Sequence, residues 1–202
     1  MKLRATMLSF ATFCILVTSS AWGSASMCDA VSGNLVVNCG FETGDFSSWT
    51  LAGNTGFTFV ESDPLFVHSG DFGAALGPIG SNGTLSQNVG DNSTIYHVSF
   101  WYMNLGGTPN DFTALWNGVD IGPSLVDANA FGYTQFAGVL PGNAGPGSNS
   151  LTFQFRHDPS FWFLDDVVVQ VVQNIIPEPS SLILLGSGVL GLGSLIRSKR
   201  SI

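Results

Sequence analysis

Short apolar segments recur along the middle of the chain, and polar residues interrupt most of them at alternate positions. In the segment 96–102 an apolar residue stands at every second position, and the segment 151–155 repeats this alternation. Side chains of a β-strand point alternately to its two faces, so a period of two predicts half-buried strands. Gly, Asn, Pro and Asp separate the segments, as expected for turns. Strands are predicted at 35–37, 57–61, 74–76, 84–89, 95–103, 112–116, 134–140, 151–157 and 161–172.

The composition of the middle region agrees with an all-β fold. The chain contains 25 Gly, whereas the helix formers Lys and Glu are scarce between its two ends. Strands with one apolar face bury that face most simply when two sheets pack against each other. Residues 26–174 are long enough to bury a sizeable core as a single domain. We therefore predict one β-sandwich domain at 26–174.

The C-terminal pattern is different, because residues 180–196 carry no charge at all. As a helix this segment would be roughly 25 Å long, close to the hydrocarbon core of about 30 Å. Pro177 and Pro179 would end the helix on its outer side. The basic tail, residues 197–202, would stay in the cytoplasm by the positive-inside rule, and it contains Arg197, Lys199 and Arg200. We predict a transmembrane helix at about 180–196; a helix docked on the domain is disfavoured because no polar face exists.

The motif Pro177-Glu178-Pro179, the apolar segment and the basic tail together resemble the PEP-CTERM sorting signal. That signal belongs to Gram-negative bacteria that make extracellular polysaccharide, and a membrane-embedded exosortase processes its substrates near the Pro-Glu-Pro motif. The resemblance implies that residues 175–202 are a sorting signal and that an exosortase-type enzyme is a partner. It also implies transient anchoring in the membrane, followed by release to the cell surface or extracellular matrix.

The N-terminal residues 1–25 have the pattern of a secretory signal peptide. Lys2 and Arg4 precede an apolar stretch, which small residues follow. Cleavage is expected between Gly23 and Ser26. The domain between the two terminal segments is therefore expected to be exported.

The exported part is strongly acidic. Between residues 24 and 176 there are eleven Asp and two Glu, and Arg156 is the one Lys or Arg. Phosphate backbones bind clusters of basic residues, so this charge excludes nucleic acid as a partner. An acidic excess in a secreted domain fits solubility, calcium binding or both.

Two cysteines, Cys28 and Cys39, lie in the exported part, and Cys14 lies in the signal peptide. A pair of cysteines in an oxidising compartment most simply forms a disulfide. A zinc site would need further Cys or His ligands at suitable spacing, and the three histidines are scattered along the chain.

Three short blocks resemble jelly-roll carbohydrate-binding modules of the galactose-binding-like type. The opening block is Asn38-Cys39-Gly40-Phe41-Glu42 with Trp49 after it; the later blocks are His68-Ser69-Gly70 and Phe163-Leu164-Asp165-Asp166-Val167. Cys39 stands where the family commonly has Gly, which we interpret as a local disulfide addition. The resemblance implies a jelly-roll β-sandwich.

In that family, acids of the opening and closing blocks hold a structural calcium ion away from the sugar site. The resemblance therefore implies a calcium site at Glu42, Asp71 and Asp165, with Asp166 as the alternate ligand. Calcium prefers six to eight oxygen ligands, which carboxylates and carbonyl groups supply. The alternative is that Asp165 caps a backbone turn or pairs with Arg156.

Sugar contacts are expected at Trp101, Gln154 and Arg156, which point away from the apolar faces of their strands. If these faces coincide, they form an aromatic platform flanked by polar groups; otherwise, they are buried under loops. We expect a non-catalytic module that binds glycan, such as extracellular polysaccharide, or serves a passive structural role. An adhesin-like module for protein partners remains open. A glycoside hydrolase is the weaker alternative, because the spare Asp residues stand in turn-like segments and neither G-x-S-x-G nor H-E-x-x-H occurs.

Overall fold

A computed structural model of the chain describes residues 24–90, 95–143 and 149–172. These residues form a short 3₁₀ turn at Met27–Ala30 and ten β-strands. The strands are β1 (Thr50–Gly53), β2 (Thr58–Glu61), β3 (Gly73–Leu76), β4 (Gly83–Val89), β5 (Ile95–Asn104), β6 (Asn110–Trp116), β7 (Val119–Val126), β8 (Phe131–Pro141), β9 (Asn149–His157) and β10 (Trp162–Val171).

The strands form two five-stranded antiparallel sheets packed face to face. Sheet A has the order β1-β4-β9-β6-β7, and sheet B has the order β2-β3-β10-β5-β8. Many neighbours in each sheet are distant in sequence, as in β4 beside β9 and β3 beside β10. The prediction of an all-β sandwich is therefore confirmed.

Aromatic side chains fill the space between the sheets. Along β9 buried and half-buried residues alternate throughout, so Phe153 and Phe155 face the core. The ring of Phe153 packs edge-on against Phe100 of sheet B at 4.9 Å between centroids. Tyr102 stacks on Phe112 across the same interface at 5.6 Å. Full burial of one such side chain contributes roughly 1.5–3 kcal/mol to the free energy of unfolding. This aromatic layer is therefore the main interaction that holds the two sheets together.

A second, smaller apolar cluster covers part of the outer face of sheet B. Its buried members are Ala75, Met103 and Phe163. The loop between β2 and β3 closes over them, and Phe66 of that loop stacks on Phe163 at 4.7 Å. This loop consequently lies on the outer face of sheet B, beside the end of β10.

The segment 35–37 was predicted as a strand, and this prediction is wrong. The segment has no strand partner; instead, the buried side chain of Gln87 bonds both backbone groups of Val37, accepting from its N–H at 2.8 Å and donating to its carbonyl at 2.9 Å. The N–H of Leu35 donates to the carbonyl of Val169. Two hydrogen bonds to the Gln87 side chain and one to the backbone of β10 thus take the place of a strand ladder here.

Some predicted segments lie outside the described residues. These are most of the signal peptide at 1–25 and the whole of the sorting signal at 175–202, including its helix and basic tail. Within the described part of the chain, no helix is long and apolar enough to span a bilayer.

Candidate functional site

The acids of the closing block lie at an irregularity in β10. Pairing of β10 with β5 shifts register between Asp165 and Val168, and Asp166 adopts a left-handed backbone conformation with φ of 49°. Such a bulge breaks the alternation of the strand and redirects side chains. Both carboxylates are buried as a result, with Asp165 0% and Asp166 3% exposed.

Backbone N–H groups hold the carboxylate of Asp165. Its Oδ2 accepts from the N–H of His68 at 2.9 Å and of Ser69 at 3.2 Å. Its Oδ1 accepts from the N–H of Asp166 at 2.7 Å. Asp165 therefore ties the end of β10 to the His68-Ser69-Gly70 turn. This is the alternative in which Asp165 caps a backbone turn. It does not pair with Arg156, which contacts Asp158 instead.

Asp166 joins the same turn to the N-terminal segment. Its Oδ2 lies 2.7 Å from Nδ1 of His68 and accepts from the Ser69 hydroxyl at 2.6 Å. Its Oδ1 accepts from the N–H of Cys28 at 3.0 Å. The Ser69 hydroxyl also accepts from the N–H of Met27 and makes no bond to His68. In a catalytic triad the imidazole accepts from the serine hydroxyl and the acid holds the imidazole, so this trio lacks that arrangement.

Glu42 of the opening block reaches the other side of the turn. Its two carboxylate oxygens accept from the N–H of Asp71 at 3.2 and 3.1 Å, and Oε1 also accepts from Phe72 at 3.4 Å. A Cβ atom at Gly70, whose φ is 78°, would overlap Oε1 of Glu42, so only glycine fits there. Glu42 and Asp165 come from opposite ends of the domain sequence. Both thus accept hydrogen bonds from the loop between β2 and β3.

Burial makes these acids hard to ionise. Burial, and then the negative charge of Asp166, raises the pKa of Asp165 to about 8. Burial likewise raises the pKa of Glu42, and the N–H groups of Asp71 and Phe72 offset this only in part. A bound cation would remove that cost, so the donor set suits a hard metal ion chemically.

The structure brings together only part of the expected ligand set. Asp71 turns to the N-terminal segment, where it accepts from the N–H of Ser24 at 2.9 Å. Across the described residues, the one compact group of three metal-binding side chains is Cys28, Asp29 and Cys39. Its two sulfurs are joined in a disulfide and are not free thiolates.

The disulfide between Cys28 and Cys39 is present, as predicted, with Cα atoms 6.1 Å apart. It joins the 3₁₀ turn to the opening block, and both cysteines are buried. Together with the bond from Cys28 to Asp166, it fixes the N-terminal segment beside β10.

The outer face of sheet B carries Trp101, which is half-buried. The adjacent residue Phe100 packs on Phe153 of sheet A, so the Trp101 side chain points the opposite way, out of the sandwich. The imidazole of His68 stacks on the indole of Trp101, with 4.0 Å between centroids and 19° between planes. The ring of Tyr133 packs edge-on against the same imidazole. The turn that holds the acids therefore also supports this tryptophan.

The other two expected sugar contacts lie elsewhere. Gln154 and Arg156 are on β9 of sheet A, and they point outward because Phe153 and Phe155 point into the core. They stand on the opposite outer face of the sandwich from Trp101, so the faces do not coincide and these three residues form no common platform. Arg156 makes two 2.6 Å bonds to Asp158. The order of strands in the sheets decides which outward faces coincide. Alternation within a single strand gives no information about that order.

Sequence reasoning missed the part of His68 and Ser69. The block His68-Ser69-Gly70 entered the prediction only as part of the resemblance, and its side chains were given no role. The imidazole in fact touches both Trp101 and Asp166. A histidine beside a serine in a turn gives no signal of this pairing, since the contact depends on the bulge in β10.

Comparison with known proteins finds matches for the C-terminal motif and for the fold of the domain. Residues 176–200 match the PEP-CTERM protein-sorting motif. No curated protein matches the chain.

Solved structures share the fold of the domain. The chain is similar to the carbohydrate-binding module TmCBM61, solved in complex with β-1,4-galactotriose, at 22% identity and TM-score 0.51; the match covers 68% of this chain and 98% of the module. The CBM22-1 xylan-binding domain of Paenibacillus barcinonensis Xyn10C is 17% identical, with TM-score 0.45, and covers 71% and 99%. The enzymatically active domain of bacteriophage CBA120 tailspike protein 4 is 16% identical, with TM-score 0.47, and covers 69% and 21%. The fold is thus a two-sheet sandwich with jelly-roll carbohydrate-binding modules among its neighbours.

Proposed function

We propose that this chain is an exported protein whose β-sandwich binds glycan at the cell surface or in the extracellular matrix, without catalysis. The observation that carries the proposal is the combination of two features in one chain. A PEP-CTERM motif occupies residues 176–200, and the domain before it has the sandwich fold of a carbohydrate-binding module. The motif implies an exported protein that is processed at the membrane.

An exosortase-type membrane enzyme is the proposed processing partner. It would act near Pro177-Glu178-Pro179, after the apolar segment 180–196 has held the chain in the membrane. The domain would then be released to the surface of a Gram-negative cell or to its extracellular polysaccharide. Export agrees with the disulfide, because such bonds persist in oxidising compartments.

The arrangement of acids supports a binding role over a hydrolytic one. Glycosidases place two carboxyl groups on either side of a sugar that both of them touch. Asp165 and Asp166 are almost entirely buried and are held by backbone and side-chain donors. The turn-facing oxygens of Glu42 bond to backbone N–H groups. These acids stabilise a loop, which is the task of a structural element.

We further propose that calcium strengthens this loop, held by Glu42 and Asp165 with backbone carbonyl oxygens. Gly40 and Gly73 bring the backbone close to Asp165, since a Cβ on either would lie 3.5 Å from one of its carboxylate oxygens. At 100 times its Kd, one bound ion contributes about 2.7 kcal/mol to the free energy of unfolding.

Thermal unfolding with calcium and with chelator tests the calcium proposal. Calcium should raise the Tm of the exported protein by several degrees, and Glu42→Ala and Asp165→Ala should abolish the response. Asp158→Ala, on the other outer face, is the matched control and should keep it. An unchanged Tm of the wild-type protein on chelation would show that the acids serve only as hydrogen-bond acceptors.

A glycan array tests the main proposal. The exported protein, labelled at low density, should bind a restricted set of immobilised glycans reproducibly. Binding to no glycan, together with capture of a specific protein from the same cell surface, would favour the adhesin-like alternative.

A further inference from the structure

We infer that the glycan site is a shallow pocket on the outer face of sheet B, centred on Trp101, and that it takes an uncharged sugar ring. This inference rests on the proposed glycan-binding function and gives that function a place and a ligand class. The pocket lies between the 3₁₀ turn Met27–Ala30 and the strands β5, β8 and β10.

Three residues of β5 form the floor of the pocket. His97, Ser99 and Trp101 alternate along the strand and share the outer face. The neighbouring strands place Gln135 opposite Trp101 and Val168 opposite Ser99. An aromatic ring thus has an amide and a hydroxyl beside it on one sheet face. Sugars match that pattern, because a ring has an apolar face of C–H groups and a rim of hydroxyl groups.

The polar groups of the pocket are uncommitted. Within the described residues, no side-chain hydrogen bond is formed by His97, Ser99 or Gln135. In the described part of the chain no buried side-chain polar atom lacks a partner, so the hydroxyl of Ser99 is accessible at the pocket although the residue as a whole is only 5% exposed. A hydroxyl, an amide and an imidazole that bond to no other side chain thus border the indole and are open to a ligand that supplies donors and acceptors.

The tryptophan at the centre is held in place before any ligand binds. His68 stacks on one side of the indole and is itself fixed by Asp166 at 2.7 Å. Tyr133 supports the imidazole and anchors its hydroxyl on the carbonyl of Phe66 at 2.7 Å. Binding to a preorganised aromatic ring avoids the entropy cost of ordering it.

The size of the pocket selects one sugar ring. Its volume is about 230 Å³, below the range of about 300–1,000 Å³ typical of sites for drug-sized ligands. A longer chain would continue across Ala137 and Val139 on the exposed side of β8, where Val139 is 62% exposed.

The acidic residues around the pocket favour an uncharged sugar ring over an acidic one. Asp166 lines the pocket, and Asp29 and Asp71 lie on the adjoining N-terminal turn and loop. The one Lys or Arg of the described residues, Arg156, is on the opposite outer face and is paired with Asp158. Uronate or sulfate groups would therefore meet repulsion with no cation to bind them, most strongly at low salt.

Affinity gel electrophoresis of the exported protein tests the inference directly. The gels contain β-1,4-galactan, xylan or polygalacturonate at low ionic strength. We expect retardation by at least one neutral polymer and none by polygalacturonate. Trp101→Ala should weaken binding about tenfold or more, as for a central aromatic contact. Gln135→Ala, an exposed change that leaves the fold intact, should weaken it less, and Gln154→Ala on the opposite face should have no effect.

Intrinsic fluorescence gives a second readout, because Trp101 is the one tryptophan in the described residues that is not buried. The neutral polymer should change the emission of the wild-type protein, and Trp101→Phe should remove that change. Retardation by polygalacturonate, or full binding by both Trp101→Ala and Gln135→Ala, would overturn the inference. A change of oligomeric state in Trp101→Ala without loss of binding would do so too, since it would mark a protein interface. No retardation in any gel also overturns it, and the glycan array shows separately whether glycan binding itself has failed.

Discussion

At the scale of single residues, the outstanding feature is a pair of buried acids in consecutive positions. Asp165 and Asp166 point to different partners because the bulge in β10 separates them, one toward backbone N–H groups and one toward His68. Isolated buried charges are very costly, so such groups are retained where they organise a loop or hold a cation. Here they organise the turn that supports Trp101.

The raised pKa of Asp165 predicts how stability depends on pH. Its value is about 8 in the folded chain, because of burial and then of Asp166, against about 3.9 when unfolded. Between these values the folded state keeps a proton that the unfolded state has lost, so this residue makes stability fall as pH rises from about 4 to about 8. Asp165→Asn should flatten that fall. Thermal unfolding between pH 5 and pH 8 with chelator measures it, and parallel curves for variant and wild type would refute it.

At the scale of elements, side chains bond to backbone groups that have no partner in the strand ladders. Gln87 of β4 satisfies both backbone groups of Val37, a segment that has no strand of its own to pair with. The disulfide and Asp166 hold the 3₁₀ turn in the same manner. The N-terminal segment is therefore held to β4 and β10 by specific bonds in place of further ladders.

Removing the amide of Gln87 should destabilise the protein measurably. Gln87→Ala leaves the N–H and carbonyl of Val37 without their partners, which costs about 1–3 kcal/mol when such groups are buried. Val37 itself is exposed, so we expect about 1 kcal/mol and a decrease in Tm of about 2–4 °C. Asn88→Ala, at the next and exposed position of β4, is the control and should change little. Equal Tm values for the two variants would contradict this account.

The elements also show which features can be predicted from sequence. Strict alternation located β5 and β9 because both have one face in the core. β7 was missed because Gly122-Pro123 interrupts it; proline lacks the N–H of a ladder and is tolerated there on an edge strand. Short β1 was missed too, because its residues are largely exposed.

The candidate site was predictable only where local motifs defined it. Glu42 and Asp165, expected as ligands of one calcium ion, both bond to backbone N–H groups of the loop between β2 and β3, and the calcium site itself stays a prediction. Trp101 and Gln154 would have formed one platform if their faces coincided, but pairing between strands distant in sequence places them in different sheets. The alternation of apolar and polar residues does not show which distant strands pair with each other.

At the scale of the whole molecule, the domain precedes a sorting motif, and its acidic surface suits life outside the cell. If the proposed processing occurs, the exported form should have lost both the signal peptide and every residue after the Pro177-Glu178-Pro179 region. Intact-mass measurement of the protein from the culture medium tests this. A released species that still carries the basic tail 197–202 would contradict it, whereas a cell lacking the exosortase should accumulate the longer form.

The proposed function requires that the sandwich bind polysaccharide and leave it intact. The most direct measurement incubates the exported protein with the insoluble extracellular polysaccharide of its own host. Co-sedimentation of the protein and the appearance of new reducing ends are followed in the same samples. We predict saturable co-sedimentation with no increase in reducing ends over a control without protein. Release of reducing ends in proportion to the protein, or failure to co-sediment at any concentration, would contradict the account.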